Sequence, residues 1–194
     1  MARRTRRAYR HWVHTGKERA KALASQLPGT GYLPMFLPAT DSAAIRAAAS
    51  EIEHRLERVD VLVDSAGMTR AVPHGDLEGM DDETFDRILI TNVRDPFAVI
   101  RAFLPLLRLS GDAVVVNISS FAALKGEGSS VPYAGSKAAL DTMGKSLALV
   151  LAPQIRIMGI APAGVDTDFI PGAYPGRLSA AHRTEPVEGN LPTG

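Results

Sequence analysis

Tyr133 and Lys137 stand four residues apart at the start of an apolar helical stretch, so their side chains leave one face and act on one group. A phenol with an ordinary pKa near ~10 is a poor proton donor or acceptor at neutral pH. An ammonium about 4 Å away, at an effective dielectric of about 20, contributes roughly 4 kcal/mol, enough to bring a phenolic proton toward neutral chemistry. Ser120 lies upstream, just past the apolar run Ala113–Ile118, where a parallel strand presents its functional groups. A hydroxyl there is placed to hold a substrate oxygen. The pair alone is a weak signal, and Ser120 reads equally as a turn hydroxyl and Tyr133 as an interfacial aromatic, so the surrounding chain must decide.

That chain alternates two periodicities. Short strands are expected at 12–15 and 33–37, and stronger ones at 61–63, 113–118 and 155–161; the last three are continuous apolar runs suited to a parallel sheet covered on both faces. Between them run helical stretches. One at 18–27 is stopped by Pro28 and Gly29, and another, capped by Asp41 or Ser42, carries Ile45, Ala48, Ala49, Ile52 and Leu56 on one face. A longer helical region over 82–107 is expected to bend or break near Pro96, and 136–151 reads as a helix with a broad apolar side. The alternation predicts an α/β fold: a Rossmann-like, doubly wound parallel sheet in three layers.

Composition excludes several alternatives. A chain of 194 residues, 45% hydrophobic and 22% charged, suits one globular domain spanning 1–194. It has no cysteine, which removes thiolate chemistry, disulfides and Cys-based zinc sites, and accords with a reducing, cytoplasmic setting. The stretches 97–107 and 147–165 are interrupted by Arg101, Pro153, Gln154 and Arg156, so no run reaches the ~18 residues of a membrane span. His11, His14, His54, His74 and His182 are scattered without metal-ligand spacing, and no metal is expected. Five arginines fall in the first ten residues, leaving 17 basic against 21 acidic side chains elsewhere. Residues 1–12 therefore read as a basic, solvated segment rather than a nucleic-acid arm, and 171–194, rich in Gly and Pro, as a loop or tail.

Several segments, in order, resemble the short-chain dehydrogenase/reductase family. Asp60-Val61-Leu62-Val63-Asp64-Ser65-Ala66-Gly67 is similar to the family's strand ending in an Asn-Asn-Ala-Gly turn; Asn92-Val93 follows a helix beginning Met80-Asp81-Asp82-Glu83. Asn117-Ile118-Ser119-Ser120, Tyr133-Ala134-Gly135-Ser136-Lys137 and Pro162-Ala163-Gly164-Val165-Asp166-Thr167 complete the pattern. The resemblance implies hydride transfer between NADP, or NAD, and a small carbonyl or alcohol substrate. Tyr133 would be the general acid or base, and Lys137 would lower its proton affinity and hold the nicotinamide ribose. Ser120 would bond the substrate oxygen and Asn92 would anchor a water in a proton relay. Cofactor contacts would come from Lys17, Ser65, Ala66, Gly67, Tyr133, Lys137, Pro162, Val165 and Thr167. No nucleic acid or membrane partner is implied, whereas a homo-oligomer is.

The chain also departs from the family. The opening strand and its Gly-rich, pyrophosphate-binding turn are missing, as is the final strand after Pro171. The missing first strand belongs in mid-sheet, and five arginines make residues 2–9 a poor replacement. Thr15-Gly16-Lys17 resembles the Thr-Gly-Arg of NADP-dependent members, with no carboxylate there to favour NAD. Pro38 stands where many members have Asp, Asp64 and Ser65 replace two Asn, and Ala163 replaces Gly. A catalytically silent chain, serving as a binding or dimerising module, is the alternative expectation.

Overall fold

Three apolar runs form the parallel ladder on which the rest of the molecule is assembled. In the computed structural model, described for residues 12–13, 17–29, 31–37, 40–165 and 169, strands β3 (Val61–Asp64), β4 (Ala113–Ile118) and β5 (Ile155–Ile160) pair in that order, all parallel. Before them come β1 (Trp12–Val13), α1 (Lys17–Gln26), β2 (Met35–Phe36) and α2 (Ser42–Arg55). The crossovers are α3 (Asp82–Leu89), a π-helical turn (Ile90–Arg94) and α4 (Asp95–Ser110) between β3 and β4, then α5 (Ala122–Lys125) and α6 (Val131–Leu151) between β4 and β5.

Local chemistry sets several of these boundaries. Asp41 caps α2 by accepting from the Ala43 and Ala44 amides at 2.8 and 3.1 Å, and Asp81 caps α3 through the Thr84 amide at 2.8 Å. Gly111, at φ +75°, ends α4 in the left-handed conformation that a side chain would strain.

Among the described residues the parallel strands β1 and β2 form a ladder of their own, with no strand pairing to β3–β4–β5. The division falls where the sequence predicted a missing central strand. The two ladders nonetheless share a helical cover. Met35 of β2 packs on the cluster of Leu62, Val115, Ile155, Ala49 and Phe103, and also on that of Leu37, Ile45, Ala48 and Ala98. Helices α2, α4 and α6 thus contribute to one layer, with Leu147 and Leu151 of α6 meeting the same core as Phe103 and Leu107 of α4. On the opposite face of the three-stranded ladder, Val61 and Val63 remain 59% and 52% exposed, and Met158 and Ile160 are about half exposed. Among the described residues, then, this apolar face stays open, which is a difference from the doubly covered sheet expected.

The irregularity expected near Pro96 lies just before it: the helix runs on without interruption from α3 into α4 but widens to π winding at Ile90–Arg94, the turn that faces the missing N–H and the ring of Pro96. Helix α6 begins at Val131, five residues earlier than read, and the short α5 was not anticipated. Most of the basic segment and the whole 171–194 tail lie outside the described residues.

Phe103 is 1% exposed at the centre of the shared core. Phe103→Ala is expected to cost about 3–5 kcal/mol, measured as a lower urea midpoint at unchanged slope; a loss below about 1 kcal/mol would show that α4 does not organise this core.

Candidate active site

The π turn carries the side chain around which the site is built. Asn92 has no exposed surface. Its Oδ1 accepts from the Met68 amide at 2.8 Å, while its Nδ2 donates to the Met68 carbonyl and to Ser136 Oγ, both at 2.9 Å. Ser136 Oγ in turn donates to the Tyr133 carbonyl at 2.7 Å. One amide therefore ties the loop after β3 to the first turns of α6. Both Nδ2 hydrogens are committed to these bonds, so Asn92 acts here as a fastener between segments.

Lys137 is only 3% exposed, and its Nζ donates to the Ile118 carbonyl at 2.8 Å, at the end of β4. The same Nζ lies 5.9 Å from the Tyr133 ring centroid, so the predicted pair does converge. A Cβ at Gly67 would stand 3.6 Å from each of Asn92 Oδ1, Lys137 Nζ and Phe169 Cζ. The Phe169 ring sits 6.1 Å from that of Tyr133, tilted by 54°. Gly67 thus provides a floor without a side chain beside a buried ammonium and a phenol.

Ser120 follows β4 in a turn fixed at both ends: the Ser119 amide donates to Ile160 O at 2.7 Å and the Phe121 amide to Pro162 O at 2.8 Å. The Ser120 hydroxyl accepts from the Ala122 amide at 3.2 Å, and Ala122 packs in one cluster with Tyr133 and Ala134. Ser120 is thereby connected to the Tyr133 cluster through Ala122. Of the remaining cofactor residues, Ser65 and Val165 are exposed, Ala66 and Pro162 are half-buried, and Ala66 N donates to Asp64 Oδ1 at 3.2 Å. Lys17 opens α1, but its side chain, like all of Thr167, lies outside the described residues. A separate cleft of about 440 Å³ opens between Val72, Leu77, Met80, Phe85 and Pro132, and none of Asn92, Ser120, Tyr133 and Lys137 lines it.

Electrostatics single out one further group. Burial pushes the Asp64 carboxyl up to about 6, with the nearby Asp95 acting in the same sense and the Ala66 amide and Lys137 opposing. Burial also lowers Lys137 below the usual lysine range, against the pull of Asp64 and Asp141. Three residues of this constellation were not read from the sequence as functional. Asp64 was visible only as an acid replacing an amide, Ser136 sits inside the Tyr133–Lys137 interval, and Phe169 carried no signal.

Comparison with known proteins matches the family model for short chain dehydrogenases to residues 6–175. The chain is 34% identical over 163 residues to the Streptomyces violaceoruber granaticin polyketide synthase protein assigned as ketoacyl reductase 2, covering 83% of this chain and 65% of that relative's length. A dehydrogenase/reductase from Sinorhizobium meliloti superposes with TM-score 0.78 at 31% identity, over 90% of this chain and 68% of the other. A gluconate 5-dehydrogenase from Burkholderia cenocepacia, solved with NADP and tartrate, superposes with TM-score 0.74 at 25% identity, over 84% and 63% respectively.

Two outcomes follow from the geometry. Ser136→Ala strands an Asn92 N–H in a buried site and is expected to cost about 1–3 kcal/mol in denaturant unfolding; a neutral result would mean that the Asn92 bridge bears no load. For Asp64, the folded-state value exceeds the unfolded 3.8, so the native state holds the extra proton between the two. The associated stability is whole below pH ~4 and lost as pH rises through about 6, a total of roughly 3 kcal/mol. Asp64→Asn is therefore expected to raise the melting temperature at pH 8 and leave it nearly unchanged at pH 4, which paired thermal scans would check.

Proposed function

The chain belongs to the short-chain dehydrogenase family, a family of oxidoreductases, and on that premise we propose that it reduces a small carbonyl compound, or oxidises the corresponding alcohol, with NADP as its preferred cofactor. The observation that carries this reading is the convergence of Tyr133, Lys137 and Gly67, with Asn92 holding the frame.

The nicotinamide end of such a cofactor fits what is present. Lys137 uses one ammonium hydrogen on Ile118 O and keeps donors for ribose hydroxyls, beside Gly67, where a Cβ would already touch Asn92, Lys137 and Phe169. When bound, the cofactor supplies or accepts the hydride. Tyr133 is assigned the proton that the substrate oxygen gains or loses, and the Ser120 hydroxyl steadies the same oxygen. Lys137, drawn out of water, exerts its charge on the phenol through a low-dielectric interior. The preference for NADP is supported by Thr15-Gly16-Lys17, where no acid opposes a 2′-phosphate, and by the NADP complex of the similar gluconate 5-dehydrogenase.

The division between β1–β2 and β3–β4–β5 favours a second reading, in which this chain is a silent binding or dimerising module. The two readings separate in one pair of measurements. NADPH oxidation with a panel of small ketones is expected in the wild type and to fall by about 10²–10⁴-fold in Tyr133→Phe. Equal rates would reject the assigned acid, and calorimetry showing no NADP binding to the full chain would favour the silent module.

A further inference from the structure

Asp64 closes β3 opposite Asn117 of β4, since the two are partners in the parallel register. Strand alternation puts both on the face that also bears Leu62 and Val115, the face packed by α4 and α6. Both are buried. Asp64 Oδ1 accepts from the Ala66 amide, while among the described residues its Oδ2 has no partner, and Asn117 Oδ1 is equally without one. Two buried acceptor oxygens at paired positions, with no donor for either, carry a desolvation cost that a single added proton removes from both at once.

We propose that Asp64 carries a proton on Oδ2, donates it to Asn117 Oδ1, and on losing it to solvent becomes the buried counter-charge of Lys137. This makes Asp64 a positioning residue for the ammonium of the site and not a group that touches substrate. The charged groups acting on it come from both helices packed against this face: Lys137 of α6, which favours its ionisation, and Asp95 of α4, which opposes it. Lys137 has one other such influence, Asp141 on its own helix. In mildly acidic solution a neutral Asp64 leaves the lysine charge uncompensated toward Tyr133. Once Asp64 ionises, part of that charge is answered from the opposite side. Burial supports the assignment by holding the carboxyl near 6.

The catalytic consequence rests on the oxidoreductase reading above, whereas the protonation itself does not. Carboxyl-carbon NMR on the full wild-type chain is expected to show Asp64 titrating about two units above an exposed aspartate. In Asp64→Asn, a near-isosteric change, the Lys137 Cε resonance is expected to titrate roughly one pH unit lower than in the wild type, because a charge that supports the ammonium has gone. The pH profile of kcat should show a step through the Asp64 transition in the wild type and none in the variant, with KM for the ketone changed little. An ordinary or lower Asp64 value would mean that the amide hydrogens of Asn117, and not its carbonyl, face an ionised carboxylate, and would overturn the proposal. So would an unmoved Lys137 titration. A chain with no turnover but with both NMR shifts would retire the oxidoreductase reading and leave this one standing.

Discussion

Asn92, with no exposed surface, makes three hydrogen bonds that tie the loop after β3 to the start of α6. Two fix the backbone of Met68, just past the glycine floor; the third passes through Ser136 to the Tyr133 carbonyl. In water such bonds exchange freely and are worth little net. Enclosed here, each unmade bond would cost a desolvated donor or acceptor, so the network is satisfied together or fails together. The position of Tyr133 relative to Gly67 is therefore influenced by an amide 25 residues from one and 41 from the other along the chain. The same enclosure penalises the Lys137 ammonium, and its bond to Ile118 O offsets part of that cost.

The divided sheet has an uneven effect on this arrangement. All four residues assigned to chemistry belong to the β3–β4–β5 half: Asn92 and Ser120 lie in connections flanking β4, and Tyr133 and Lys137 in the helix that leads to β5. That half is tied by its own ladder and by Phe103, Leu107 and Val115. Among the described residues, the β1–β2 half, which leads into Lys17, is joined to it through packing at Met35, Ala48 and Ala98, with no strand hydrogen bonds between the two ladders. The residues proposed for proton transfer and those proposed for the cofactor tail thus rest on different parts of the molecule.

Much of this was legible beforehand, and the reasons are physical. Ala113–Ile118 was read to the residue because a fully buried parallel strand must be apolar without interruption, and the Asp41 cap because a carboxylate before a helix has few other uses. Tyr133 and Lys137 were legible because a fixed helical spacing has a fixed geometrical meaning. Pro96 marks where the helix is irregular, but not that the irregularity is a π turn, because the sequence Ile-Thr-Asn-Val-Arg carries no local signal for that winding. The roles of Asp64 and Ser136 depend on which buried atoms remain unpaired, a property of three-dimensional neighbours that no local pattern records.

The π turn at 90–94 also sets how this gene can drift. A helix advances about 100° per residue, and a π turn accommodates one residue more than α winding would at the same place. Losing a single codon there would let the segment relax to regular winding while rotating α3 about a quarter-turn against α4. Asn92 would swing off Met68 even though Ser120, Tyr133 and Lys137 were still encoded, so a frame-preserving shortening in this one spot would dismantle the bridge more surely than many point changes around it.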